Sequence, residues 1–174
     1  SGITLAISET AAQAALLAAK KAQAVGVTVS CDLNFRKNLW RWRSGTDARS
    51  LAREIMPEFL NHVNVVIGNE EDAVDVLNIH AGESDVLQGS LQIDRYPEVA
   101  VQISERFANV HSVAITLRES ISATHNNWGA MLYSAQSGGA VFAPMNGKQY
   151  QPYEIRNIVD RVGGGDSFAA NVFK

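Results

Sequence analysis

Apolar positions along this chain switch between two periodicities, and the switches mark out its elements. Residues 8–26, "SETAAQAALLAAKKAQAVG", form an alanine-rich stretch that predicts a helix with Ser8 as N-cap and Gly26 as its stop. Residues 27–35, "VTVSCDLNF", put Val27, Val29, Cys31 and Leu33 on one side of a strand-like alternation. A polar loop with tryptophans leads to 46–62, where Leu51, Ile55 and Phe59 recur every four residues, as on one helix face. "VNVVIG" (63–68) is a short apolar run suited to a strand buried on both faces, and "NEEDAVDVLNI" (69–79) reads as a helix with acids in its first turn. Residues 80–96 have weak periodicity and several turn formers, which predicts a surface excursion. Pro97 opens a helix to about Asn109, and "SVAITLR" (112–118) is the next buried strand. "AMLYSA" (130–135) and "AVFAP" (140–144) then pair around "QSGG", a turn signal.

The two ends read as interrupted. "SGITLAIS" resembles a strand already running, and "DSFAANVFK" stops about two turns into a helix without a glycine or asparagine cap. The chain is expected to be a piece of a longer protein. Alternating helices and buried strands predict an α/β domain over residues 1–174, with a mostly parallel sheet flanked by helices and a hairpin added late. In open α/β sheets, ligands bind beyond the carboxyl ends of the strands. "DLNFR", "GNEED" and "TLRES" each follow a predicted strand, and "VGGGD" opens the last helix, so four loops are expected to converge on one crevice.

Composition removes several function classes. A net charge of −3 gives no overall attraction for nucleic acid or anionic lipid, and no apolar run approaches the roughly 18 residues of a membrane span. The single Cys31 cannot form an internal disulfide, which suits a reducing cytoplasm, and it reads as core filling rather than a nucleophile. His62, His80, His111 and His125 show no metal-ligand spacing. "RKNLWRWR" interleaves basic residues with Trp40 and Trp42, a pattern that can stack on bases or rest on a membrane. It is one short loop in an acidic chain, so no nucleic-acid or membrane partner is expected.

The candidate chemistry lies in "VDRVGGGDSFAA" (159–170). Successive glycines before a helix bare their N–H groups, and the helix dipole adds partial positive charge, so Gly163, Gly164 and Gly165 can surround a phosphoryl group as charge develops. Asp166 is then placed to take a proton from an attacking hydroxyl. The plainer alternative is a tight turn in which Asp166 only caps the helix. The run is neither a Walker A loop nor G-x-G-x-x-G.

"DRVGGGDSFAA" resembles the D-T-x-G-A-G-D-x-F signature of the PfkB, or ribokinase-like, carbohydrate kinases. Asp160, Gly163, Gly165, Asp166 and Phe168 match, Arg161 replaces threonine and Gly164 replaces alanine. "CDLNFRKNLW" is similar to the D-x-N-x-R-x-x-L-W segment of 2-keto-3-deoxygluconate kinases, and "ITLRESISATHNNWGAMLY" to their T-L-R-E-S stretch. The resemblance runs over essentially the whole chain. It implies an incomplete Rossmann-like ribokinase fold and ATP- and Mg²⁺-dependent phosphorylation of 2-keto-3-deoxygluconate at its terminal hydroxyl, in the cytoplasm. Asp166 would be the base and the amides of residues 163–165 the anion hole. Arg36 is the best candidate for the sugar-acid carboxylate, because a guanidinium is a planar, bidentate partner. Asp32 and Asn34 would orient Arg36 or reach the phosphates. Asn69 matches the family's N-x-x-E element, whose fourth position is here Asp72 with Glu71 beside it, and either acid would serve Mg²⁺ through water. Thr116 and Arg118 would flank the nucleotide phosphates, unless Arg118 simply pairs with Glu119. The alternatives are another sugar kinase of the family, acting on fructose or ribose, and a non-catalytic nucleotide or sugar-phosphate binding module. The resemblance also implies that an N-terminal lid portion and C-terminal helices are absent, so this piece alone is expected to be nearly inactive. Any homo-oligomer would form through segments not present here.

Overall fold

The computed structural model describes residues 1–80, 93–160 and 162–172. The N-terminal segment is a helix, α1 (Gly2–Ile7), where a strand was expected. Ser1 Oγ accepts the Ile3 N–H at 3.3 Å, and Leu5 and Ala6 are buried, so a cap and a two-residue apolar face outweigh the β-branched content. Gly2 lies so close to Leu33 that an added Cβ would overlap its carbonyl oxygen. Helix α2 (Glu9–Ala24) begins at the predicted Ser8 cap, whose Oγ accepts the Ala11 N–H at 3.1 Å, and stops where Gly26 takes a left-handed φ of 73°. Strand β1 (Ser30–Asp32) is shorter than its alternation suggests, because Val27 is left exposed. α3 (Ala48–Leu60), β2 (Val65–Gly68) and α4 (Glu70–Leu77) follow as predicted. The expected excursion over 80–96 falls largely outside the described residues. Its end is a 3₁₀ turn, Ile93–Arg95, running into α5 (Tyr96–Arg106).

Strands β3 (Ser112–Ser122), β4 (His125–Ser134) and β5 (Gly139–Ala143) come next. Two short strands, β6 (Met145–Asn146) and β7 (Gln149–Tyr150), then pair with each other, and β8 (Tyr153–Ile155) precedes α6 (Gly164–Asn171). The main sheet has the order β1-β2-β3-β4-β5, with β8 also on β4. β1, β2 and β3 are parallel, whereas the pairings made by β4 are antiparallel. The β4–β5 hairpin is the one predicted. The longer β3–β4 hairpin was not, since its turn has neither glycine nor proline and uses a serine: Thr124 N–H donates to Ser122 Oγ at 3.3 Å.

One sheet face, carrying Cys31, Leu33, Val66, Val113, Ile115 and Met131, joins the buried faces of α1–α5 in the main core. On the other face Val65, Ile67 and Ala114 are covered by Phe168, Ala169 and Val172 around α6. The helix that the glycines open is therefore seated directly on the parallel strands.

Candidate active site

A cavity of about 640 Å³ opens at the carboxyl ends of β1, β2 and β3. Asp32, Asn34 and Arg36 line it from the end of β1, and Asn69, Glu71 and Asp72 line it from the start of α4. Thr116 and Arg118 line it from β3, and Gly164 and Gly165 from the first turn of α6. Gly163 and Asp166 are not among the lining residues. Asp166 lies exposed at the third position of α6, near enough for its charge to act on Asp32.

Each wall has a local cause. Parallel pairing of β2 with β3 ends at Gly68 opposite Ile115, but β3 continues along β4, with Arg118 opposite Trp128. Thr116 and Arg118 therefore stand inside an overhanging strand rather than in a loop after it. Gly163 is the N-cap of α6 with φ 80°, a left-handed conformation that favours glycine, and no side chain caps this helix. The turn half of the plainer reading holds, while the capping role for Asp166 does not. Asn34 also has a positive φ, 34°, which turns the chain out of β1 and leaves Arg36 exposed.

Electrostatics divide the acids. Asp32 titrates above the ordinary aspartate value through burial first, then the charge of Asp72, with Asp166 adding to it and the Asn34 amide opposing. Burial likewise raises Asp72, against the bonds from the Phe35 and Asn69 amides and the charge of Arg36. Asp72 is almost fully buried, with Oδ1 accepting the Phe35 N–H at 2.8 Å and Oδ2 the Asn69 N–H at 3.2 Å. Its own N–H donates to Asn69 Oδ1 at 2.8 Å, closing a capping box. Burial first, and then the neighbouring Glu70 carboxylate, push the Tyr96 phenol upward. Glu71 is exposed on the cavity wall. Arg36 and Arg118 form no salt bridge among the described residues, and Glu119 accepts from Asn127 Nδ2 at 2.8 Å instead.

Several lining residues went unrecognised in the sequence. Tyr96 from the start of α5, Asn126 and Trp128 from β4, Ile155 from β8 and Ile158 after it complete the wall. Asn126 and Trp128 follow from the β3–β4 register, and the signal that would have revealed them is the alternation across residues 125–133. Other candidates turn inward. Cys31 is buried and its thiol is pushed up to about 11, as core filling requires. The basic–aromatic loop is bound to its own chain: Trp40 is buried, Trp42 Nε1 donates to the Leu5 carbonyl at 3.3 Å, and Arg43 pairs with Glu54 at 2.6 Å. No described helix is long and apolar enough to cross a membrane. Among the described residues no group of three or more His, Cys, Asp or Glu could hold a metal by direct ligation.

No family model matches the sequence. Curated and solved proteins do. The chain is 29% identical over 168 residues to a 2-dehydro-3-deoxygalactonokinase of Haloferax volcanii, an alignment spanning 97% of this chain and 41% of that protein. It superposes on a 2-dehydro-3-deoxygluconokinase of Thermotoga maritima with a TM-score of 0.79 and 38% identity, covering 99% of this chain and 45% of the other. A PfkB family carbohydrate kinase of Listeria grayi gives a TM-score of 0.76 and 26% identity, with 99% and 45% coverage. The chain thus spans less than half the length of these relatives. Along nearly its whole length it has the fold of the PfkB carbohydrate kinases and is similar in sequence to kinases of 2-keto-3-deoxy sugar acids.

Proposed function

We propose that this chain supplies the catalytic section of an ATP-dependent kinase that phosphorylates a 2-keto-3-deoxy sugar acid at its terminal hydroxyl. The observation that carries the reading is that Arg36, which forms no salt bridge among the described residues, and the glycine-opened first turn of α6 face one cavity. Arg36 holds the sugar-acid carboxylate by a bidentate contact. Asp166 takes the proton of the terminal hydroxyl, whose oxygen forms the new bond to the γ-phosphorus as the bond to the β-phosphate oxygen breaks, releasing ADP. The amides of residues 163–165 and the dipole of α6 hold the charge that spreads over the transferring group. Asn69, whose Oδ1 is committed to its helix cap, contributes its Nδ2; Thr116 and Arg118 flank the nucleotide phosphates, and Arg118 neutralises their charge. Mg²⁺, when bound, supplies positive charge across those phosphates. It commonly keeps several waters and uses only one or two carboxylates. Asp72 has both oxygens bonded to main-chain amides, so Glu71 is the acid assigned to that role.

The test sets this chain into the T. maritima kinase in place of the section it matches, with the 174-residue chain alone in parallel. Coupled ATP-consumption assays use 2-keto-3-deoxygluconate, its galactonate epimer, fructose and ribose. The chimera is expected to prefer the keto acids, and the chain alone to show little turnover. Asp166→Asn should lower turnover by about 10²–10⁴-fold with ligand affinity largely kept. A chimera that binds these ligands without turnover would point instead to a binding module. Preference for the neutral sugars would point to another kinase of the family.

A further inference from the structure

Asp72 occupies the position where the family's N-x-x-E element carries glutamate, yet its surroundings are not those of a residue facing a hydrated cation. The residue is 9% exposed, and each carboxylate oxygen accepts a main-chain N–H. One of these amides, Asn69, belongs to its own helix start. The other, Phe35, lies on a different element, the loop after β1, immediately before Arg36. That loop has few other anchors. Leu33 N–H bonds to the Ile67 carbonyl at 2.8 Å, Asn34 then turns with φ 34°, and Leu39 N–H closes back on the Arg36 carbonyl at 2.8 Å. Between Leu33 and that closing turn, the Asn34 amide bonds back to the Asp32 carboxylate at the end of β1, and the Phe35 amide reaches across to Asp72 on α4, which among the described residues ties the loop's main chain to a second element.

We infer that Asp72 is a positioning residue, a carboxylate latch that fixes the loop carrying Arg36 to the N-terminus of α4, rather than an anchor for metal-bound water. The latch joins the segment assigned to the sugar-acid carboxylate to the segment assigned to the phosphates, so one buried side chain sets the spacing between the two halves of the site. Aspartate suits this place because its short side chain can close the capping box and still present a second oxygen to Phe35. The consequence for catalysis rests on the kinase reading above, whereas the latch itself does not.

Two measurements separate these levels. In the 174-residue chain, amide hydrogen exchange followed by NMR should show the Phe35 N–H protected in the native protein. It should exchange at least tenfold faster in Asp72→Ala, which removes both acceptors. Unchanged exchange overturns the latch, whatever the protein catalyses. In the chimera, Asp72→Asn should raise KM for the sugar acid about tenfold, with kcat and the Mg²⁺ requirement nearly unchanged, since a small misplacement of a binding group weakens ground-state contacts. Combining it with Arg36→Ala should add little to Arg36→Ala alone, as for two residues acting through one contact. Asp72→Glu keeps a carboxylate but is one methylene too long, and should behave like Asp72→Asn. A shifted Mg²⁺ requirement with an unchanged sugar-acid KM, or full activity in Asp72→Glu, would overturn the inference in favour of a metal role.

Discussion

The three glycines before Asp166 can be separated by adding one methyl at a time, because the structure gives each a different reason to be glycine. Gly163 has φ 80° and nothing within 4 Å of an added Cβ, so Gly163→Ala meets only backbone strain. That strain is about 1–2 kcal/mol, offset in part by the roughly 0.4–1 kcal/mol gained when alanine narrows the unfolded ensemble. The net loss of about 1 kcal/mol lowers Tm by roughly 2–4 °C for a chain of this size. Gly164 and Gly165 lie inside α6 without a positive φ. An added Cβ at Gly164 comes no closer than 4.0 Å, to Trp128, and at Gly165 it meets nothing within 4 Å. In a helix interior, alanine there would gain about 0.8–1 kcal/mol. In a first turn about half of that is expected, so Tm rises by roughly 1–2 °C. Activity should follow another order. Gly164→Ala restores the residue usual in the related signature and should leave chimera turnover within about twofold. Gly165→Ala sets a methyl on the cavity wall beside the proposed phosphoryl seat and should lower turnover tenfold or more, against losses of about 10²–10³ when such a donor is removed outright. Thermal melts and steady-state assays of the three variants decide the matter. If Gly165→Ala is more stable and equally active, the glycines are only a turn and the anion seat is refuted.

Two further outcomes test the fold and its charge. A methyl at Gly129 would overlap the Tyr150 hydroxyl and sit 2.8 Å from the Ala143 carbonyl oxygen, so Gly129→Ala should cost about 1–3 kcal/mol, a Tm loss of roughly 2–12 °C. Adding Tyr150→Phe should recover only part of it, because the carbonyl stays, and full recovery would contradict the packing described. Asp32 titrates above its ordinary value when folded, so its contribution favours folding below the unfolded value of 3.8 and is lost as pH rises through the folded one. Asp32→Asn, which keeps an acceptor for the Asn34 amide, should therefore melt higher than the native chain at pH 7. The gap should close on acidification toward 3.8, and a gap that widens instead would reverse the assigned cause.

Local chemistry was enough to read much of this protein from its sequence. Ser8 and Gly26 bound α2, Asn69 and the acids after it open α4, and "VVIG" is a strand buried on both faces, because caps, left-handed stops and apolar runs act within a few residues. The glycine run before α6 and the expected cluster of Arg36, Asn69, Thr116 and Arg118 were legible for a related reason, since parallel strands bring their carboxyl ends to one edge. The β3–β4 hairpin was not legible, as its turn rests on a serine side chain and its tip, Ile121 included, is exposed and lacks a buried alternating face. With it went Asn126 and Trp128, whose place in the cavity exists only through cross-strand register. "SGITLAIS" misled because β-branched residues signal a strand locally, while capping and burial of Leu5 and Ala6 select a helix. The surroundings of three neighbouring acids depend on tertiary contact as well as on local capping. Asn69 and the acid three residues on already form a local capping box, but the second partner of Asp72, Phe35, comes from elsewhere in the chain, and nothing within "NEED" could say that this carboxylate is bonded through both oxygens while Glu71 lies exposed.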